Sequence, residues 1–347
     1  MLGRILRSLG VTFGRTGPGS TADRGGGGSG AEQAEVERLR QWVLEQLRTH
    51  PLKYLEQVPE QVEPVGPGIV LGGQMVDHHA VRMRCPGGGE YMMNVSKMHW
   101  MLRGRWSPEV MEGCLAHMLR GYASYLTMNL DSWEAIQPAL LPVVKGEPHP
   151  EAVAMPWGSL TIHLAADMPQ SMVYVSPGHI ESWGRSPDEV LSVALANASR
   201  LHAGVTVRKL PREEAGGWHI WAVEADPNYS ATAILLPHVV DQVPVDRADM
   251  YVVIPDRSRL FFIEKPGLGQ DRIFLLRAAI QMYEESNYAV SPFLHVWSGD
   301  RLAFATAQEI TGGDQRFLHD GGVLVPGIDS DKPMLVHIPE ERQTMMM

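Results

Sequence analysis

Two arginines flank a turn signal late in the chain, in the stretch PDRSR (255–259). The apolar runs on either side resemble two strands, and Asp256 favours a turn between them. Guanidinium groups bind carboxylates and phosphates through paired hydrogen bonds. Asp256, Arg257 and Arg259 are therefore a candidate anion-binding site, and the alternative is a solvated hairpin tip that binds nothing.

The chain has 14 histidines, which raises the question of a metal site. The densest group is Asp77-His78-His79, and His99 and His117 follow it. Neighbouring residues of a strand point to opposite faces, so that His78 and His79 would need a loop and a distant third ligand to hold one ion. Surface or hydrogen-bonded histidines explain the pattern better, and we predict no metal and no cofactor.

Other chemistry lacks a signature in the sequence. We find no HExxH, phosphate loop, GxSxG, CxxC or dinucleotide fingerprint. No catalytic residue is therefore assigned. Trp183 precedes a helix signal in which Ser186 and Glu189 have the spacing of a capping box. In this position Trp183 is either an exposed binding residue or a buried packing residue.

The first 13 residues have apolar side chains at helical spacing with arginines between them. This pattern indicates a basic amphipathic arm that contacts a membrane surface or a protein partner, and the alternative is a frayed terminus. A glycine-rich linker follows up to residue 30. The candidate contact residues are Leu2, Arg4, Ile5, Leu6, Arg7 and Leu9.

Hydrophobic periodicity defines the elements that would position these residues. It predicts helices over 31–49 and 271–286, and a Ser-Pro signal starts another helix at Ser107. Strand-like runs form one hairpin over AVRMRC (80–85) and EYMMNVS (90–96). Further strands are predicted over 206–210, 218–224, 250–255, 259–264, 293–297 and 301–307, and YSATAILLP (229–237) is predicted to be helical.

Part of the chain resembles another part. SMVYVS (171–176) resembles YMMNVS (91–96), and GRSPDEVLSVALANA (184–198) resembles GRWSPEVMEGCLAHM (104–118). We therefore predict an α+β fold of mixed antiparallel sheets with packed helices, containing two related β-β-α units. The predicted regions are an arm and linker (1–30), a helix with the first unit (31–148), a larger α+β domain (149–340) and a tail (341–347).

Composition limits the partners. Four arginines and one aspartate give residues 1–30 a charge of +3, and the rest of the chain carries −13 because the whole carries −10. An acidic body repels phosphate backbones, so we expect no nucleic-acid binding. Two cysteines are too few for a disulfide framework, and they fit a reducing compartment or a protein that is indifferent to redox state.

Four stretches together resemble an uncharacterised bacterial family, the domain of unknown function 1444. They are NVSKMHWMLRGRWSPEVMEGCLAHML (94–119), LLPVVKG (140–146), SLTIHLAADMPQSMVYVSPGHIESWGRSPDEVLSVALANASRL (159–201), and ATAILLP (231–237) with MYVVIPDRSRLFFIE (250–264). The resemblance covers roughly residues 65–300 and implies a bacterial cytoplasmic protein of α+β type. It implies no reaction, and the glycine-rich N-terminal extension departs from the family pattern.

The sequence favours a non-enzymatic binding or adaptor module in the bacterial cytoplasm, with a protein partner and possible contact with the inner membrane face. The alternative is a hydrolase that acts on a small anionic ligand near Arg257 and Arg259, assisted by a histidine-bound metal. An enzyme requires several polar groups that converge on one pocket, whereas a binding module requires a shallow surface.

The arm hypothesis makes a direct prediction. Replacing Leu2, Ile5, Leu6 and Leu9 by Ser removes the apolar face, and we expect association with anionic vesicles or with a partner to be lost. Co-sedimentation with vesicles measures it. Unchanged association would mean that the arm is a passive tail.

Overall fold

The chain divides into two compact units, a smaller one built mainly from residues 30–130 and a larger one from residues 132–166 and 174–339. Residues 132–148, which precede the predicted domain boundary, belong to the larger unit. No described helix is long and apolar enough to cross a lipid bilayer. The computed structural model describes residues 30–53, 55, 58–65, 69–71, 74–76, 79–84, 90–102, 105–126, 130, 132–149, 152–167, 172–211, 217–226, 228–286, 288–327 and 333–339.

The smaller unit packs helices against a three-stranded antiparallel sheet whose order is β1-β4-β5. A separate two-stranded ladder joins β2 to β3. The elements of the smaller unit are α1 (Gly30–Thr49), β1 (Gln61–Val65), β2 (Ile69–Leu71), β3 (Gln74–Val76), β4 (Ala80–Arg84), β5 (Glu90–Asn94), α2 (Val95–Leu102) and α3 (Pro108–Leu126).

The core of the smaller unit forms where the predicted apolar face of α1 meets the sheet. A helix that buries residues at three- and four-residue spacing presents one continuous stripe to its neighbour. That stripe covers Val81, Met83 and Met93 on the sheet and Leu115 on α3. The buried residues of the α1 stripe are Val36, Leu39, Val43 and Leu47.

The prediction that a strand continues to Ser96 is wrong. Strands β4 and β5 do pair as an antiparallel hairpin, but helix α2 begins at Val95. The carbonyl of His79 accepts the backbone N–H groups of both Val95 and Ser96, at 2.9 and 3.4 Å. These bonds turn the chain out of the ladder, and an apolar run of this length does not distinguish strand from helix by its pattern.

A second antiparallel sheet has the order β6-β8-β7, with β9 paired to β8. Strands β6 and β8 of this sheet are nearly continuous apolar runs, because most of their residues are buried. Its strands and the helices around it are α4 (Trp133–Ile136), β6 (Leu140–Lys145), β7 (Ala154–Trp157), β8 (Leu160–Asp167), β9 (Met172–Tyr174), α5 (Pro177–Trp183) and α6 (Pro187–Leu201).

The six-stranded antiparallel sheet of the larger unit has the order β10-β11-β13-β12-β14-β15, and a three-stranded sheet has the order β16-β17-β18. Residues 230–235 form a 3₁₀-helix, so the predicted helical segment is confirmed in a tighter form. The remaining elements are β10 (Thr206–Lys209), β11 (Ile220–Glu224), α7 (Pro237–Val240), β12 (Met250–Asp256), β13 (Arg259–Glu264), α8 (Gly269–Glu284), β14 (Leu294–Ser298), β15 (Arg301–Phe304), α9 (Ala307–Thr311), β16 (Leu318–His319), β17 (Gly322–Val325) and β18 (Met334–Val336).

Helix α8 packs on one face of the six-stranded sheet. Its predicted apolar residues Ile273, Leu276 and Ile280 are buried in the same cluster as Tyr251 and Phe261 from strands β12 and β13. Burying one such large apolar side chain contributes about 1.5–3 kcal/mol. This packing holds the β12–β13 hairpin, and hence the candidate anion site at its tip, on a rigid support.

The predicted α+β class is confirmed, and the two resembling stretches have the same order of elements. In each copy a strand pair precedes a short helix and then a longer helix, which is β-β-α-α in place of the predicted β-β-α. The longer helix α6 starts with the predicted capping box between Ser186 and Glu189. Trp183 at the end of α5 is 8% exposed, so it is a packing residue.

Side chains close several open sheet edges. On edge strand β6, Asn197 donates to the carbonyl of Leu140 at 2.8 Å, and Thr232 donates to the carbonyl of Pro142 at 3.0 Å. On edge strand β10, the Gln242 amide accepts from the N–H of Val207 and donates to the carbonyl of Val205, both at 3.1 Å. On edge strand β1, Arg48 and Arg40 donate to the carbonyls of Val62 and Val65.

A buried histidine joins the β7–β8 turn to strand β14. The ring of His295 is fully buried, with Nδ1 at 2.8 Å from Ser159 Oγ and Nε2 at 2.9 Å from Ser291 Oγ. The Ser159 hydroxyl also lies 3.1 Å from the carbonyl of Leu302, which is a second acceptor for its proton. Burial lowers the pKa of His295 to about 3.

The buried His295 makes stability depend on pH. Below an unfolded pKa of about 6.5 the unfolded chain gains a proton that the folded chain does not, so stability is lost as pH falls. We expect His295→Asn, whose amide can still hydrogen-bond to Ser159, to reduce the slope of the unfolding free energy against pH by about 1.4 kcal/mol per pH unit below pH ~6. Urea unfolding of both proteins between pH ~6 and ~4.5 measures it, and parallel curves would contradict the assignment.

Candidate functional site

Asp256, at the tip of the β12–β13 hairpin, is almost fully buried, with 2% of its surface exposed. A buried carboxylate needs a counter-charge and hydrogen-bond donors. Its Oδ1 accepts from the Ser258 N–H at 2.8 Å and from the Ser258 hydroxyl at 2.6 Å, and Oδ2 accepts from Nε and Nη2 of Arg259, both at 2.6 Å. Arg259 is therefore the internal partner of Asp256.

Arg257 has different partners from Arg259. Its guanidinium lies 3.5 Å above the centre of the Tyr288 ring, and Nη2 donates to Oδ1 of Asn228 at 3.0 Å. Its backbone N–H donates to the carbonyl of Tyr288, and its carbonyl accepts from the N–H of Ala231. The ring and the amide together fix the plane of a half-exposed guanidinium.

A segment after α8 supports the tip. The N–H groups of Val290 and Ser291 donate to the carbonyls of Pro255 and Ile254 at 2.9 and 3.0 Å, which brings Tyr288 alongside the hairpin. At Gly146, just after β6, a Cβ atom would lie 2.2 Å from the carbonyl oxygen of Val290. Glycine is therefore required for the end of β6 to approach this segment.

A group of three aromatic rings includes Tyr174, which lies within electrostatic range of Arg257. The ring of His149 stacks on Tyr174 with centroids 5.0 Å apart, and the buried ring of His163 meets Tyr174 edge-on at 5.7 Å. Burial raises the pKa of the Tyr174 phenol, and the positive charge of Arg257 opposes that shift. Burial also lowers the pKa of His163, so its imidazole is neutral at pH 7.

The structure assembles more residues here than the sequence indicated. The anion site predicted at Asp256, Arg257 and Arg259 stays a prediction, and Arg257 is its arginine without a carboxylate partner among the described residues. Sequence reasoning missed His149, Tyr174, Asn228 and Tyr288, which lie between 29 and 108 positions away from Arg257 in the chain. No local spacing could reveal them, although Tyr174 lies in one of the resembling stretches.

The candidate metal histidines of the smaller unit have carboxylate neighbours. Nδ1 of His79 lies 3.4 Å from Glu37, and Nε2 of His99 lies 3.2 Å from Glu35. Within the described ranges no group of three or more His, Cys, Asp or Glu side chains could hold a metal ion. Asp77 and His78 lie outside the described residues, as do the arm residues Leu2, Arg4, Ile5, Leu6, Arg7 and Leu9.

Ser159 and His295 have the separation of a nucleophile and a general base, 2.8 Å. A general base must offer a lone pair to the hydroxyl. The carbonyl of Leu302 is a second acceptor for that hydroxyl, at 3.1 Å, and the imidazole is fully buried, out of reach of a substrate. This pair therefore connects two sheets.

The buried carboxylate gives a stability prediction. Asp256→Ala leaves the Arg259 guanidinium partly buried without its counter-charge, and we expect a loss of about 3 kcal/mol, the lower end for breaking a buried ion pair. Glu224→Ala is the control, because it breaks the exposed pair with Arg208 and should cost less than about 1 kcal/mol. Urea unfolding compares the two, and equal losses would contradict the assigned role of Asp256.

Comparison of the chain with protein-family models, with curated proteins and with solved structures finds no match. The resemblance to the domain of unknown function 1444 therefore stays a prediction, and the interpretation of the site rests on its geometry.

Proposed function

We propose that the protein is a non-enzymatic binding module whose ligand carries an anionic group that binds at Arg257. The proposal rests on the guanidinium of Arg257, which the Tyr288 ring and Asn228 hold in place. Within the described residues, its one side-chain hydrogen bond goes to Asn228. An arginine has five N–H donors, so most of those of Arg257 remain for a ligand.

Pre-organisation supports binding at this residue over the other arginine of the hairpin. A mobile arginine loses about 2 kcal/mol of rotamer freedom when it is fixed by a ligand. Stacking on Tyr288 has already fixed Arg257 in the folded protein. The carboxylate of Asp256 neutralises Arg259, whereas Arg257 has a neutral amide and a phenol ring as its partners.

The proposal keeps the other parts of the binding hypothesis. A protein partner is expected to carry the anionic group, and the arm residues add a second contact with that partner or with a membrane surface. The cytoplasmic location follows the family resemblance. Two linked contacts raise the overall affinity above that of either one, so a modest site at Arg257 is compatible with an adaptor role.

A hydrolase is the second candidate, and His149 is the observation that favours it. Its ring is exposed and stacks on Tyr174. The positive charge of Arg257 acts on the pKa of that tyrosine, so the imidazole belongs to the same group of side chains. An imidazole beside a bound anion can act as a general base. Turnover of an ester or phosphoester that is lost in His149→Ala would favour this candidate over the binding module.

The test compares the thermal midpoint of the full chain in sodium benzoate, sodium phosphate and sodium chloride at equal ionic strength. A ligand at ten times its Kd stabilises the folded state by about 1.4 kcal/mol. We expect benzoate or phosphate to raise the midpoint above that in chloride, and Arg257→Gln to lose this rise because affinity falls at least about tenfold.

Arg185→Gln is the matched control, because Arg185 also lies over an aromatic ring, 5.3 Å from the centre of Trp133. General salt effects on stability act on both variants alike. A rise that survives in Arg257→Gln, or no rise in the unmodified chain, would contradict the proposed site.

A further inference from the structure

We infer that the anionic group bound at Arg257 is a carboxylate and not a phosphate. This inference rests on the proposed function and specifies its ligand. Three features of the described residues lead to it: the net charge of the hairpin tip, the part of the guanidinium that is open, and the hydroxyl of Tyr174.

The charge at the tip matches a single negative charge. Asp256 and Arg259 form an internal ion pair, so Asp256, Arg257 and Arg259 together carry +1. A carboxylate neutralises that charge, whereas a phosphate dianion leaves −1 behind. A nearby carboxylate makes this excess worse, because Asp226 accepts from the N–H of Asn228, the residue that binds Arg257.

The open part of the guanidinium also suits a planar ligand. Tyr288 covers one face of Arg257, and Asn228 takes a hydrogen of Nη2. Nε and Nη1 make no hydrogen bond to the described residues, so the donors that remain point outward in the plane of the group. Two coplanar carboxylate oxygens accept from such a fork in a bidentate manner.

Tyr174 supplies a further donor. Its hydroxyl makes no hydrogen bond to another described residue, and it lies close enough to Arg257 for the two groups to interact electrostatically. Because burial raises the pKa of this phenol, it keeps its proton at pH 7 and donates to an acceptor. A carboxylate bound by Arg257 has lone pairs left for that bond.

Two sources can present a carboxylate here: a small aromatic acid, whose ring extends the stack of His149 on Tyr174, or the end of a peptide chain. The chemistry at Arg257 is the same for both. The probes are therefore sodium benzoate, sodium acetate, a short peptide with a free carboxyl terminus, the same peptide with an amidated terminus, and inorganic phosphate.

The test is a calorimetric titration of the full chain with each probe at constant ionic strength. We expect benzoate or the free-carboxyl peptide to bind at least about tenfold more tightly than phosphate. Arg257→Lys keeps the charge but removes the planar fork, and it should weaken carboxylate binding about tenfold. Tyr174→Phe should weaken it several-fold, and Arg185→Lys should leave it unchanged.

The outcomes separate the two proposals. One outcome is that phosphate binds more tightly than every carboxylate and that Arg257→Gln abolishes this phosphate binding. That outcome would overturn the carboxylate inference and leave the anion-binding proposal standing. Equal carboxylate binding in Arg257→Lys and the unmodified chain would also overturn the inference. If no probe binds in a manner that depends on Arg257, both fail. Circular dichroism of each variant confirms that it is folded.

Discussion

Backbone N–H and C=O groups along an open sheet edge must find partners, and neighbouring side chains supply them in this chain. Asn197 and Thr232 bond to β6, and Gln242 accepts from an N–H of β10 and donates to the carbonyl just before that strand. Unpaired edges invite association with other strands. The prolines follow the same constraint, because those at 64, 142 and 156 lie on edge strands, where the missing N–H does not break a ladder.

Pro255 lies on the central strand β12, and its position connects the sheet to the candidate site. The pairing of β12 with β13 shifts register between Val253 and Asp256, so the proline falls where the ladder is already irregular. Because of this shift, the tip does not continue the regular strand pairing of the hairpin. Asp256 then bridges to Ala289 while its carboxylate binds Ser258 and Arg259. Buried charge compensation at Asp256 thereby sets the conformation from which Arg257 reaches Tyr288.

The sequence predicted elements whose evidence is local. Helix α1 and helix α8 follow apolar periodicity, and the Ser186 capping box follows a three-residue spacing. The strand prediction was wrong at Val95, where a hydrogen bond from its N–H to the carbonyl of His79, distant in sequence, decides between strand and helix. The site shows the same division. The hairpin and its turn were predictable from Asp256, but the partners of Arg257 come from two other segments, at 228–231 and at Tyr288, and required the fold.

The two arginines of the hairpin show why residue type alone does not define a binding site. Both have the same intrinsic donors, and the sequence treats them as equivalent. Asp256 is buried and bonds to Arg259, which stabilises the tip; Asn228 and Tyr288 are neutral and orient Arg257 without cancelling its charge. An arginine held by neutral groups keeps its electrostatic attraction for an anion, whereas an arginine paired with a carboxylate has lost most of it. The neighbour's charge therefore separates the structural arginine from the binding arginine.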